Sequence, residues 1–280
     1  MQLEEAHYKV AWRNTGNYPG HHASLQQGGG LDFHHHASLV DAPDPRRFDL
    51  RASLRDPFGQ IQVRVYQQTS AIPVHVIADL SASMGFVGAS PKMQVLARLV
   101  ACLAYSAYRT GDSFGFVGCA EQPLEELFQR PTLNRGAGLE LADRLRNFEP
   151  RGRHSDGLLR AADLIGTRRS LVFLISDFHC STELIEDVMG TLRYHDVVPV
   201  LLWDRREING PGGYGLARVM DPETRRSRLL FVRPALRRRI AQRYSERRER
   251  LFETFSRLGR PPLIIEDGFD ADAITRYFYG

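Results

Sequence analysis

The stretch "VIADLSASMGF", residues 76–86, joins an apolar run to a loop that carries one carboxylate and two hydroxyls. Asp79 ends the apolar run, and Ser81 and Ser83 follow it at alternate positions. Because alternate side chains of an extended segment point to the same side, we expect these three side chains to face one point. A hard cation such as Mg²⁺ takes oxygen ligands and usually only one or two carboxylates. The stretch therefore predicts a cation site where a buried strand ends.

Strand-like and helix-like patterns alternate along most of the chain. Short apolar runs at 71–79, 170–176 and 197–203 are typical of central parallel strands. Further strands are predicted near 113–119, 124–128 and 261–267, and helices near 91–109, 138–148, 157–167, 182–194, 234–258 and 270–278. A Gly-rich stretch at 210–215 leads into two strand-like pieces joined by a turn at "DPET", 221–224. This alternation predicts an α/β fold with a mainly parallel central sheet and helices on both faces.

A second carboxylate, Asp177, directly follows the predicted strand 170–176. Ligands of open α/β sheets bind outside the carboxyl ends of the strands. Asp79 and Asp177 each stand at such an end, so we expect them to converge at one edge of the sheet.

The chain is predicted to divide into an N-terminal extended or loop segment, 1–58, and a regular domain, 59–280. The first segment contains histidine clusters at 21–22 and 34–36. Clustered histidines can bind a transition metal, but no neighbouring cysteine or carboxylate completes a site, which favours a solvated loop. The alternating stretch "GQIQVRVYQQ", 59–68, predicts an added edge strand.

Composition narrows the functional class. The 280 residues contain no run of about 20 apolar residues, so no transmembrane segment is predicted. The beginning of the chain lacks the apolar core of a signal peptide, and the three cysteines show no metal-ligand spacing, which favours a cytoplasmic protein. The net charge of +4 is carried almost entirely by arginine, because Lys9 and Lys92 are the only lysines.

The segment Asp79-Leu80-Ser81-Ala82-Ser83 resembles the D-x-S-x-S metal-ion-dependent adhesion motif of von Willebrand factor A domains. In that family a Thr on a second loop and an Asp after a later strand complete the site. Ser155 best matches the Thr, with His154 and Asp156 beside it as alternatives, and Asp177 matches the Asp. The resemblance thus implies Mg²⁺ or Mn²⁺ as cofactor, with these metal ligands: Asp79, Ser81, Ser83, Ser155 and Asp177.

The upstream stretch "VDAPDPRRFDLRASLRDPFGQIQVRVYQQ", 40–68, resembles the signature of a von Willebrand A-like domain-of-unknown-function family, family fifty-eight. The segments "RRSLVFLISDF" and "LIIEDGFDADAITRYF" fit the same family, and Leu50 departs from it where Trp is usual. The resemblance covers about residues 28–280, and the matching signature residues are Arg47, Asp49, Arg51, Ser53, Arg55 and Arg64. Members are usually encoded beside MoxR-type AAA+ ATPases.

The resemblance implies a non-enzymatic, metal-dependent protein-interaction module. It would act with a MoxR-type AAA+ ATPase in chaperone-like maturation of an unknown client protein. The sequence shows no paired general acid and base, no nucleophile–base pair and no phosphate loop, which argues against an enzyme. The alternative is a nucleic-acid-binding protein that uses the Arg-rich helix 234–258, since a row of arginines attracts phosphates.

Overall fold

The computed structural model describes residues 4–12, 22–209, 214–220 and 227–280. The chain forms two compact units. The sheet unit comprises Met1–Lys9 and Pro73–Gly280, and the hairpin unit comprises Val10–Ile72.

A six-stranded sheet forms the centre of the described sheet unit. Its strands in chain order are β3 (Pro73–Asp79), β4 (Ser113–Cys119), β5 (Pro123–Thr132), β6 (Leu171–Ser176), β7 (Asp196–Trp203) and β10 (Leu263–Glu266). They lie in the order β10-β7-β6-β3-β4-β5, with β5 antiparallel to β4 and the other neighbours parallel. Every residue of β3 and β6 is buried, as expected for strands covered on both sides. The predicted mainly parallel α/β sheet is confirmed.

Helices cover both faces of this sheet. They are α2 (Lys92–Arg109), α3 (Arg135–Arg146), α4 (Gly157–Asp163), α5 (Thr182–Thr191), α6 (Arg205–Asn209), α7 (Pro234–Leu258) and α8 (Ala271–Tyr279). Leu174 of β6 belongs to a core cluster shared with α4, α5 and α7. Phe173 directly precedes Leu174 in β6, so its side chain points to the opposite face of the sheet. There its ring contacts Phe278 of α8 at a centroid distance of 6.3 Å. A short antiparallel hairpin, β8 (Gly215–Met220) and β9 (Ser227–Val232), confirms the two strand-like pieces, whereas the predicted turn at 221–224 lies outside the described residues.

The strand order places the two predicted carboxylates next to each other. From β3 the chain proceeds to β4 on one side, and from β6 it proceeds to β7 on the other side. The crevice between β3 and β6 is therefore the topological switch point, where ligands bind in doubly wound sheets. Asp79 is the last residue of β3, and Asp177 follows the last residue of β6.

In the hairpin unit, β1 (His22–Ser38) pairs antiparallel with β2 (Gln62–Ser70), and α1 (Leu50–Arg55) follows a 3₁₀ turn at Pro45–Arg47. The sequence predicted only loop and short strands here, because β1 is specified by its distant partner and not by its own periodicity. His34–His36 therefore lie on a strand.

The signature residues hold the hairpin unit together. The Asp49 carboxylate accepts hydrogen bonds from the backbone of Ala52 at 3.1 Å and from Arg64 Nε at 2.7 Å, and His36 Nε2 lies 3.2 Å away. These contacts hold the pKa of Asp49 well below its usual range. Ser53 Oγ donates to the carbonyl of Asp49 at 2.7 Å. The signature therefore has a structural role in this unit.

His75 lies in the middle of β3 and is 5% exposed. Burial, helped by His195, lowers the pKa of His75 to about 4. The unfolded chain, where the usual pKa of 6.5 applies, therefore binds a proton between about pH 6.5 and 4 that the folded chain does not bind. His75 consequently lowers the free energy of unfolding as the pH falls through this window.

We expect His75→Gln to reduce the loss of stability on acidification. Between pH 7 and pH 5 the wild type should lose about 2 kcal/mol more free energy of unfolding than the variant. Urea unfolding at both pH values measures this difference. The matched control is His7→Gln, because His7 is exposed. Equal pH dependence in the wild type and His75→Gln would contradict a neutral, buried His75.

Candidate metal and ion-pair site

The first part of the site is the loop that leaves β3. The Asp79 carboxylate turns the chain by accepting a hydrogen bond from the backbone of Ser81 at 2.9 Å. A 3₁₀ turn at Ala82–Gly85 follows and brings Ser83 Oγ within 3.2 Å of Ser81 Oγ. Asp79 and Ser81 are fully buried, and Ser83 keeps an exposed fraction of 6%. The three side chains predicted to face one point therefore do so.

Two further hydroxyls reach the same carboxylate. Ser155, just before α4, donates to Asp79 Oδ2 at 2.9 Å and lies 3.5 Å from Ser81 Oγ. Its neighbours His154 and Asp156 are exposed, so of these three residues it is Ser155 that enters the site. Ser176, the last residue of β6, also donates to Asp79 Oδ2, at 2.7 Å. Sequence reasoning missed Ser176, although its position directly before Asp177 could have indicated it.

Asp79 is a buried carboxylate surrounded by neutral donors. Burial and the negative charge of Asp177 raise its pKa, and the hydrogen bonds from Ser176 and Ser81 oppose that shift only partly. Among the described residues, no basic side chain forms an ion pair with Asp79. An ionised Asp79 would therefore carry a buried negative charge that, among the described residues, no basic side chain neutralises.

Asp177, in contrast, has a basic partner that the sequence analysis did not predict. Lys92 Nζ lies 2.9 Å from Asp177 Oδ2 and 2.9 Å from Glu207 Oε2. The side chains of Lys92 and Asp177 are 3% and 1% exposed, so this ion pair is buried. Burial would lower the pKa of Lys92, but the two carboxylates outweigh it and raise that pKa above its ordinary value.

The imidazole of His179 also belongs to the group of residues around Asp177. His179 Nε2 lies 3.0 Å from Glu207 Oε1, and its ring stacks on Trp203 at a centroid distance of 6.3 Å. Trp203 Nε1 donates to the carbonyl of Asp177 at 2.9 Å. Burial would raise the pKa of Asp177, but the positive charges of Lys92 and His179 hold it below its usual value. Asp177, His179 and Glu207 also offer ligand atoms within 4.8 Å of one another.

Lys92 occupies an unfavourable place in its helix. It is the first residue of α2, where the positive end of the helix dipole disfavours a cation. The loop ahead of it is held by Asp204, whose buried carboxylate accepts from the backbone of Ala89 at 2.6 Å. A Cβ on Gly88 would lie 2.1 Å from that carboxylate, so this position leaves no space for a side chain. One signal was present in the sequence: Lys92 is one of two lysines in a chain that otherwise uses arginine.

The loop after Asp177 is held by α7. Arg247 Nη2 donates to the carbonyls of Phe178 at 2.6 Å and Cys180 at 2.5 Å. Phe178 has a φ of 49°, a left-handed conformation that is costly for a bulky residue. Arg247 therefore stabilises the turn that positions Asp177, and its side chain is not free for a phosphate.

The residues around Asp79 fit a hard divalent cation. Buried carboxylate and hydroxyl oxygens are the ligand type that Mg²⁺ prefers. Asp79, Ser81, Ser83 and Ser155 would hold the ion, while Asp177 is shared with Lys92.

Comparison with known proteins identifies the family. A family model described as "Protein of unknown function DUF58" matches residues 43–250, well over half of the chain. The chain belongs to the DUF58 family. A Paracoccus denitrificans protein described as an uncharacterized protein in the moxR 3′ region is 34% identical to this DUF58 chain over 97 residues. That alignment covers 35% of this chain and 92% of the relative.

Two solved structures are similar to parts of this DUF58 chain. The conserved hypothetical protein BatB from Bacteroides thetaiotaomicron is 13% identical, with 75% of this chain and 98% of BatB covered and a TM-score of 0.44. The vWF domain of the type V pili tip protein Mfa5 from Porphyromonas gingivalis is 22% identical, with 38% of each chain covered and a TM-score of 0.30. None of the described helices of the DUF58 chain combines the length and apolar composition that crossing a bilayer requires.

Proposed function

We propose that this DUF58 chain is a non-enzymatic, metal-dependent protein-interaction module. The observation that carries the proposal is the buried Asp79 carboxylate, which accepts hydrogen bonds from two hydroxyls and one backbone amide and has, among the described residues, no basic partner. A buried negative charge is costly unless a cation neutralises it. Asp79, Ser81, Ser83, Ser155 and, through the shared carboxylate, Asp177 are the proposed ligands of Mg²⁺ or Mn²⁺.

The bound ion would supply a positive charge that attracts a carboxylate of a partner protein. The chain's own residues orient the ligands: the backbone of Ser81 and the hydroxyls of Ser155 and Ser176 hold the Asp79 carboxylate in one position. Ser83 and Ser155 keep exposed fractions of 6% and 8%, whereas Asp79 and Ser81 have none. A partner would therefore approach from the side of Ser83 and Ser155.

The proposed partner is a MoxR-type AAA+ ATPase, with an unknown client protein as the third component. Support comes from the Paracoccus denitrificans relative, whose description locates it in a moxR 3′ region. In this proposal the ATPase hydrolyses ATP in the cytoplasm, and the DUF58 chain links it to the client during chaperone-like maturation.

We expect Asp79→Asn to weaken Mn²⁺ binding by about 100-fold or more, because loss of even an outer-shell contact typically costs 10–100-fold. Isothermal titration calorimetry measures the affinity. A pull-down of a purified MoxR-type ATPase should succeed with Mg²⁺, and should fail in EDTA and with Asp79→Asn.

The matched control for this experiment is Asp156→Ala. Asp156 is an exposed acid next to Ser155 and lies outside the cluster, so this variant should bind metal and ATPase like the wild type. An ATPase complex that survives both EDTA and Asp79→Asn would contradict the metal-dependent mechanism.

The nucleic-acid alternative gains no specific support from α7. Arg248 pairs with Glu266 at 2.8 Å and Arg257 contacts Glu186, so these arginines bind acids of the same unit. Arg237 and Arg238 are exposed, as solvated surface residues normally are. A gel shift with mixed RNA and DNA tests this alternative: tight, salt-sensitive binding that is lost in Arg237→Ala/Arg238→Ala would favour it.

A further inference from the structure

The proposed metal site and the ion pair with Lys92 use the same carboxylate, Asp177. Lys92 Nζ lies 2.9 Å from the Asp177 carboxylate, and this is the carboxylate expected to complete the site. Both side chains are almost completely buried, so neither charge is screened by water. A divalent ion and an ammonium that shared Asp177 would repel each other strongly at this depth.

The acidic groups around the site can bind both the ammonium of Lys92 and a divalent ion if the two cations occupy different carboxylates. Asp79, Asp177 and Glu207 carry three negative charges when ionised, and Lys92 carries one positive charge. His179, which contacts Glu207, adds a second positive charge when it is protonated. One or two negative charges therefore remain, depending on the protonation of His179, and a divalent ion at the site would neutralise them. Lys92 contacts Glu207 at the same 2.9 Å as Asp177, so a second acceptor for its ammonium is already in place.

We propose that Lys92 is a tethered counter-ion that occupies Asp177 in the metal-free state and passes to Glu207 when a divalent cation binds. The inference rests on the proposed function, because it concerns the same site. It makes metal binding a competition between the ion and the lysine. It also couples occupancy of the site to two elements that provide no metal ligands, the start of α2 with Lys92 and α6 with Glu207.

Because the chain contains only two lysines, each lysine side chain can be observed separately in the wild-type protein. With [¹⁵N]lysine labelling, NMR of the side-chain nitrogens shows two Nζ signals, and the Lys9→Met variant assigns them. Lys9 is exposed and its Nζ lies 4.6 Å from the ring centroid of Tyr279, so it serves as an internal control. On titration with Mg²⁺, the Lys92 signal should shift and its hydrogen exchange should accelerate, while the Lys9 signal stays unchanged.

Mn²⁺ affinity provides a second readout. Lys92→Met should tighten Mn²⁺ binding by about tenfold or more, because the competing charge is removed, and Lys9→Met should not change it. Glu207→Gln should weaken Mn²⁺ binding in the wild-type background, because the displaced ammonium loses its acceptor. The same Glu207→Gln change should have little effect in the Lys92→Met background.

The possible outcomes separate this inference from the proposed function. In one outcome, Mg²⁺ binding depends on Asp79, the Lys92 signal does not shift on titration, and Lys92→Met binds Mn²⁺ no more tightly than the wild type. The counter-ion inference is then overturned, and the metal-dependent function stands. If only Lys92→Met binds metal, the competition is supported and metal dependence of the wild type is overturned. If neither protein binds metal, both ideas are overturned.

Discussion

Lys92→Met is expected to lower the free energy of unfolding by about 3–5 kcal/mol in metal-free buffer, because removing one partner of a buried ion pair leaves the other charge unpaired. Asp177 is 1% exposed, so water cannot replace the lost ammonium. Methionine has a similar unbranched stem, so the packing of the Lys92 side chain should largely persist. Urea unfolding in EDTA, followed by circular dichroism, measures the loss.

A double variant separates the charge effect from packing. In Lys92→Met/Asp177→Asn both charges of the pair are absent, and most of the lost stability should return, since neutral replacements of buried ion pairs are often tolerated. The exposed control Lys9→Met should change the free energy of unfolding by less than about 0.5 kcal/mol. A loss below about 1 kcal/mol for Lys92→Met would show that the ion pair does not behave as a buried one.

Gly157→Ala is expected to destabilise the sheet unit by about 2–3 kcal/mol, the upper part of the range typical of overpacked sites. A Cβ at position 157 would lie 2.4 Å from the carbonyl oxygen of Ala120 and 2.8 Å from the backbone nitrogen of Gln122. Both atoms belong to the backbone, and the amide of Gly157 also donates to the same Ala120 carbonyl at 2.9 Å. A methyl group can be accommodated only if the two segments separate.

The separation should also disturb the metal site, because Ser155 lies two residues before Gly157. We therefore expect weaker Mn²⁺ binding together with a lower melting temperature in Gly157→Ala. The matched control is Gly190→Ala: Gly190 lies in α5 and its Cβ would meet nothing within 4 Å. Alanine there should be neutral or stabilising by about 0.5–1 kcal/mol. Similar melting temperatures for both alanine variants would exclude the steric explanation.

Local sequence pattern was sufficient to predict most of the sheet unit. Strand β3 and strand β6 are short apolar runs bounded by polar residues, and the long helices α2 and α7 begin and end within about two residues of their predicted bounds. These elements depend on interactions between near neighbours, which periodicity records directly. Asp79 and Asp177 could be predicted to meet because parallel strands end at one edge of the sheet.

The tertiary structure alone decided which side chains complete the site. Lys92 and Glu207 come from a helix start and a short helix that are far apart in sequence, and no local pattern connects them with each other or with Asp177. In the hairpin unit, likewise, β1 exists because it pairs with a distant strand, from Ser38 opposite Gln62 to His22 opposite Ser70. Such contacts follow from strand order and from the direction of each side chain, and these are set when the whole core packs.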